Sequence, residues 1–212
     1  MASAVADTGF DAAAIAAHWL TAYRAATPAT DVLYAAGLDD PAWNATLGEL
    51  AERTGDDLTA ARERAQRHAE DIGTGFRIAG EGEERPWPLS PVPLLIAKRE
   101  WDGIVAGIAQ RANLLESVIT DCYGAQTLVR GGSLPATLLT GSPYFLRPMM
   151  GLDPPGGCHL HFVAFDLCRG PTGEWRVLAD HLRAPAGAGY ALENRLAMAR
   201  MLGGLQNRLN IE

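Results

Sequence analysis

The stretch CHLHFVAFDL (158–167), followed after Cys168 and Arg169 by GPTG (170–173), EWRVLAD (174–180) and HLRAPAGAGYALENR (181–195), decides how this chain is read. Two apolar runs on either side of a Gly/Pro turn predict an antiparallel hairpin, and the Pro/Gly loop after it predicts a turn into a helix. A turn on Gly170 to Gly173 sets Arg169 opposite Glu174 and Asp166 opposite Val177. Opposed residues share a face and successive residues alternate, so Asp166, Ala179 and His181 fall on one face and His159, His161 and Asp180 on the other. A slip of one residue would exchange the two sets.

Working outward, the best helical pattern precedes the hairpin. Trp101, Ile104, Val105, Ile108, Ala112, Leu115, Val118, Ile119 and Cys122 recur at three- and four-residue steps, with Asp102, Arg111, Asn113 and Glu116 opposite and Gly124 as the stop. Prolines 86, 88, 91 and 93 fix an extended path that is expected to end in a buried strand near Leu94 to Ala97. Further helices are expected around 11–26, over 47–72 with a break at Thr54-Gly55 and a cap at Asp56 or Asp57, near Leu134 to Leu139, and from about Ala191 to Leu202. A short strand is expected in GFRIAG (75–80), and irregular chain from 27 to 46. The boundary falls at PWPLSPVP, giving a helical region over 1–85 and an α/β core over 86–212.

At 212 residues with 48% hydrophobic content, the chain can bury a real core. A net charge of −7 with no Lys/Arg block argues against nucleic acid or an anionic membrane as a partner. The N-terminus lacks a basic segment and carries Asp7 and Asp11, so it does not read as a secretory signal, and no apolar run reaches the ~18 residues of a membrane span. A cytoplasmic protein is expected. Cys122, Cys158 and Cys168 form no C-x-x-C motif and are read as reduced, buried thiols. Ser142 has no G-x-S-x-G context, and the glycines of RGG (130–132) and GLDPPGG (151–157) lack phosphate-loop spacing.

The ordered blocks PWPLSPVPLLIAKREWDGIVAGIAQRANLLESVITDCYG, SLPATLL and SPYFLRPMMGLDPPGGCHLHFVAFDLCRGPTGEWRVLADHLRAPAGAGYALENR resemble the N-terminal half of the circularly permuted ATP-grasp proteins. These are relatives of glutathionylspermidine-synthase-type peptide ligases, often joined to an alpha-E domain. The resemblance covers roughly residues 60–202, on several motifs in order. It implies an α/β (α+β-like) fold with a mainly antiparallel sheet, and ATP-dependent carboxylate–amine ligation through an acyl phosphate. ATP and Mg2+ are the implied cofactors, because charge builds at the transferred phosphoryl group.

In that pattern an Asp, then Glu-x-Asn, then Pro and Gly supply oxygen ligands. Asp166 fits the first position, while Ala179 and His181 stand where Glu and Asn are expected, and Asp180 substitutes only if a bulge turns it toward Asp166. The implied metal set is therefore Asp166, Asp180 and His181. Arg183 and Arg195 are the implied catalytic partners of phosphate or substrate carboxylate, and Gly187, Gly189, Glu193 and Asn194 the cofactor-binding residues. The nucleotide-clamping half is not in this sequence, so an incomplete ligase, inactive alone, is expected. Small-molecule or peptide substrates, an alpha-E domain protein and self-association through an uncovered sheet edge are the expected partners. Two other readings stand beside this one: a non-catalytic binding module, and a transition-metal protein using His159, His161 and Asp180.

Overall fold

The computed structural model describes residues 11–26, 31–55, 57–73, 75–78, 80, 82–170, 172–183, 185 and 187–201. The segment read as non-secretory (1–10), Asp56 as an alternative cap and the expected helix end at Leu202 lie outside them. In chain order the elements are α1 (Ala12–Ala26), α2 (Val32–Ala36), α3 (Pro41–Thr54), α4 (Leu58–Asp71), β1 (Gly75–Phe76), β2 (Arg85–Pro86), α5 (Lys98–Tyr123), α6 (Thr127–Arg130), α7 (Ala136–Thr140), β3 (Ala164–Arg169), β4 (Trp175–His181) and α8 (Ala188–Met201). The protein is thus of mixed α/β (α+β-like) class with antiparallel strand pairing throughout the described residues.

Aspartates start the helices of the N-terminal region. A short carboxylate at the N-cap accepts backbone N–H groups that have no partner within the helix. Asp11 accepts from Ala13 and Ala14, both at 3.1 Å, and Asp31 from Tyr34 at 2.8 Å. Asp40 accepts from Ala42 and Trp43, and Asp57 from Ala60 at 2.8 Å. Pro41 follows Asp40 at the first turn of α3, where its missing N–H costs nothing. The expected irregular chain before residue 47 is therefore corrected. Its Asp31 and Asp40-Pro41 signals make α2 and the early start of α3.

Two compact units result. The first comprises the described residues within Met1–Leu95, Pro171–Gly173 and Ala186–Glu212, the second those within Ile96–Gly170 and Glu174–Pro185. A division at residue 86 separates motifs along the chain, whereas these units follow packing, which groups α8 with the N-terminal helices. In the first unit Leu50, 1% exposed, is surrounded by Trp19, Ala45, Leu58, Val92 and Met198. Helix α4 buries only Ala61, Ala65 and Ala69, a stripe at four-residue steps, so its charged residues do lie mostly on an open face. The β1–β2 pair is held to α8 by Trp87. Its ring stacks on Tyr190 at 4.2 Å and its indole N–H donates to the Asn194 side-chain oxygen at 2.9 Å.

In the second unit α5 is the organising element. Its expected apolar stripe buries Ile104 and Cys122 and half-buries Ile108, Ala112, Leu115, Val118 and Ile119, while Trp101 and Val105 stay exposed. The strand expected at Leu94 to Ala97 is absent. Those residues enter α5 as irregular chain, and Leu94 is exposed. Beyond Gly124, Gln126 adopts φ 55°, a left-handed conformation that costs a non-glycine residue about 1–2 kcal/mol. Gln126→Gly is expected to raise the thermal midpoint by a few degrees, because the strain relieved exceeds the side chain's bond to the Cys122 carbonyl. A lower midpoint in differential scanning calorimetry would refute this.

Strand β3 begins at Ala164, not at Cys158 as expected, because residues 158–160 are captured by α5. The hairpin loop also differs from expectation. Gly170 N–H donates to the Glu174 carbonyl at 2.7 Å, Gly173 takes φ 89°, and Arg169 pairs with Trp175 rather than Glu174. Cys168 then pairs with Arg176, Leu167 with Val177 and Asp166 with Ala179, so Leu178 is an unpaired extra residue, a β-bulge. The one-residue slip at the turn would have inverted the faces of the distal half of β4. The bulge restores them, and the expected grouping of Asp166, Ala179 and His181 holds.

Candidate functional site

The two faces of the β3–β4 hairpin have different fates. Phe165, Leu167, Arg169, Trp175 and Val177 are half-buried on the face toward α5. Two ion pairs tie that face down. Arg169 meets Glu100 at 2.8 Å, and Arg111 grips Asp180 with two bonds of 2.6 and 2.8 Å. Glu100 to Arg111 spans three turns of helix, or about 16 Å, so α5 runs alongside β4 in the same direction. The hydrogen bonds from Arg111 hold the Asp180 carboxyl below its ordinary range.

The other face carries Asp166, Ala179 and His181. Asp166 Oδ2 and His181 Nε2 lie 2.9 Å apart, with both side chains about half exposed. A carboxylate accepts only, so Nε2 carries a proton and donates it to Asp166. Ala179, directly opposite Asp166, offers no donor atom. Arg183, just beyond β4, lays its guanidinium over the Tyr144 ring at 4.0 Å, a cation–π contact. Tyr144 is exposed, while Phe145 packs, stacking on Tyr123 at 5.0 Å.

Several expected groupings are not formed. A bulge is present, yet it turns His181 and not Asp180 toward Asp166, so Asp180 does not join the set. Among the described residues no three His, Cys, Asp or Glu side chains gather as a metal site. That includes His159, His161 and Asp180, because His159 belongs to α5, His161 is exposed and Asp180 serves Arg111. Of the residues placed in the first unit, Gly187 takes φ 122°, which requires glycine, and Gly189 faces open space. Asn194 is engaged by Trp87, Glu193 is half-buried and Arg195 is exposed.

Glu116 is the residue that sequence reasoning assigned to a solvated face and the structure places at a junction. Its Oε1 accepts from the His159 amide at 2.9 Å and lies 3.1 Å from the His159 ring. Its Oε2 accepts from the Leu160 amide at 2.8 Å and the Cys158 thiol at 3.4 Å. Burial alone would raise its pKa, but these donors, the two amides foremost, outweigh it and hold the carboxyl down at about 2. His159 also stacks on Tyr123, whose hydroxyl accepts from the Leu146 amide. The three thiols form no disulfide. Only Cys122 is buried, and burial pushes its thiol up, whereas Cys158 and Cys168 are half-buried.

These features define an α/β domain built on a long helix that backs one face of an antiparallel hairpin and leaves a carboxylate on the other. The chain belongs to the circularly permuted ATP-grasp type 2 family, whose model matches residues 93–212. It is 40% identical over 157 residues to an uncharacterized protein of Mycobacterium leprae (strain TN), covering 74% of this chain and 28% of that protein. An uncharacterized protein of Synechocystis sp. is 34% identical over 170 residues, covering 79% of this chain and 35% of the relative. A longer uncharacterized protein of Mycobacterium tuberculosis (strain ATCC 25618 / H37Rv) is 37% identical over 127 residues, covering 60% of this chain and 14% of its own length. The matched stretch thus spans about a third or less of these curated relatives. No helix among the described residues is long and apolar enough to cross a membrane.

Proposed function

We propose that this chain supplies the hairpin part of an ATP-dependent carboxylate–amine ligase, with Asp166 as its one oxygen donor toward Mg2+. The observation that carries the reading is the exposed Asp166 carboxylate, on the hairpin face that α5 leaves uncovered, in a chain of the ATP-grasp family. Mg2+ demands oxygen ligands and is commonly held by one or two carboxylates together with substrate phosphates. The residues present fit one such position and no more, since Ala179 has no donor and imidazole is a poor ligand for this ion. Asp166 therefore holds Mg2+ only together with nucleotide phosphates, which complete the shell. His181 orients the carboxylate through its Nε2–H, and Arg183, positioned by Tyr144, offers a guanidinium to phosphate or substrate carboxylate.

A second reading, a binding module without catalysis, is favoured by one specific observation: Ala179 and His181, at the expected Glu and Asn positions, offer no oxygen, and Asp180, the one substitute, is held by Arg111. Calorimetric titration with ATP and Mg2+ separates the two. Micromolar binding that needs both ATP and metal, and that Asp166→Ala abolishes, is the expected result. Heat that is absent in wild type and variant alike would leave only the module.

A further inference from the structure

The first unit contains a cavity of about 190 Å³ that none of the chemistry above uses. It lies where the end of α3 and the middle of α4 meet α8, and it is lined by Leu50, Arg53, Thr54, Ala61, Arg64 and Arg200. Half of the lining residues are arginines, and none is acidic. Guanidinium groups repel one another at close range, so three around one cavity raise the local potential unless something anionic enters.

The three are compensated unequally. Arg53 is held by its Nε on Glu49 at 2.8 Å, so its charge is matched. Arg200 directs an N–H onto the His68 ring, with its Nη1 2.8 Å from Nε2. A guanidinium only donates and an imidazole carries no negative charge, so this contact leaves the Arg200 charge in place. Arg64 forms neither a hydrogen bond nor an ion pair with any described residue. Two arginines thus reach the cavity with uncompensated charge, on helices whose burial of Ala61 and Ala197 fixes their spacing.

We infer that this cavity binds a small multiply charged oxyanion, a phosphate or carboxylate compound, between Arg64 and Arg200. Arginine suits such ligands because its planar fork donates two parallel N–H bonds to one oxyanion group. The volume is well below the roughly 300–1,000 Å³ of sites for drug-sized molecules, which limits the occupant to a compact anion. Leu50 and Ala61 give the floor an apolar patch, while Arg64 and Arg200 are exposed and reach an anion from the solvent side.

The test uses the full 212-residue chain and two probes without metal, pyrophosphate and citrate, in calorimetry and thermal melting against KCl at equal ionic strength. Saturable binding of either probe, weakened about tenfold or more by Arg64→Gln and by Arg200→Gln, is expected, since each variant loses a charge-assisted bond pair. Binding of one probe alone supports the site and identifies the oxyanion. Asp166→Ala, in the other unit, is expected to leave this binding unchanged, which separates it from nucleotide binding at the hairpin. Binding no stronger than in KCl, or unchanged from wild type in both arginine variants, overturns the inference. Arg64 has no described partner, so its replacement is not expected to disturb folding, and an unchanged circular dichroism melt of the variant confirms that its readout is fair.

Discussion

Replacing Glu116 with alanine is expected to destabilise the second unit by about 2–3 kcal/mol, the usual cost of removing a charged acceptor from buried donors. The amides of His159 and Leu160 lose their partner together, and the Cys158 thiol keeps only the Leu160 carbonyl at 3.2 Å. The segment 158–163 then detaches from α5, which the stacking of His159 on Tyr123 makes visible in near-ultraviolet circular dichroism. Glu116→Gln keeps one carbonyl oxygen and is expected to lose about half as much. The same carboxylate predicts the acid limit of this unit. Its folded value, about 2, lies below the ordinary 4.5, so its contribution is complete above about pH 4.5 and disappears as pH falls toward 2. A Glu116→Ala protein whose melting curve matches wild type at pH 7 would show that the junction contributes nothing.

Leu50→Ala is the second large effect. Leu50 is 1% exposed and packed among Trp19, Ala45, Leu58, Val92 and Met198, groups from five segments of the chain, its own helix included. Truncation removes the transfer free energy of the lost carbons and leaves a cavity that these neighbours fill only in part, for a cost of about 2–5 kcal/mol. Urea denaturation followed by tryptophan fluorescence reads it through Trp19 and Trp43. A midpoint shift below the range for a surface change, about 0.5 kcal/mol, would mean that the first unit has no tightly packed centre at Leu50.

What the sequence revealed and what it hid divide along a physical line. The stripe on α5 was legible because helical periodicity is local, and so were the Asp57 cap and the stop at Gly124. The faces of Asp166 and His181 were legible because strand alternation is also local. The start of β3 was not. CHLHFV is as apolar as a strand, and only the carboxylate of a residue 42 positions earlier draws its amides away. Glu116 looked solvated because its neighbours along the helix alternate as a polar face should. The cavity between Arg64 and Arg200 was equally hidden, since 136 positions separate them and α4 reads as a plain charged helix. Asp31 and Asp40 were legible signals that the reading of 27–46 passed over.

The extra residue at Leu178 bears on how this stretch is compared between relatives. Counted along the chain, Asp166 and Ala179 are separated by an interval that the turn and the bulge share between them. A homologue with one residue fewer at 178 would restore a regular ladder and still set the equivalent of Ala179 across from its aspartate. One with an extra residue in the turn and none at 178 would do the same. Lengths that differ by one here therefore do not signal a different strand pairing, and a gap placed by residue count alone can misalign the residue that faces Asp166. The quantity that selection can hold constant is the parity of the strand relative to Asp166, and changes of length between the turn and residue 178 are tolerated where they preserve it.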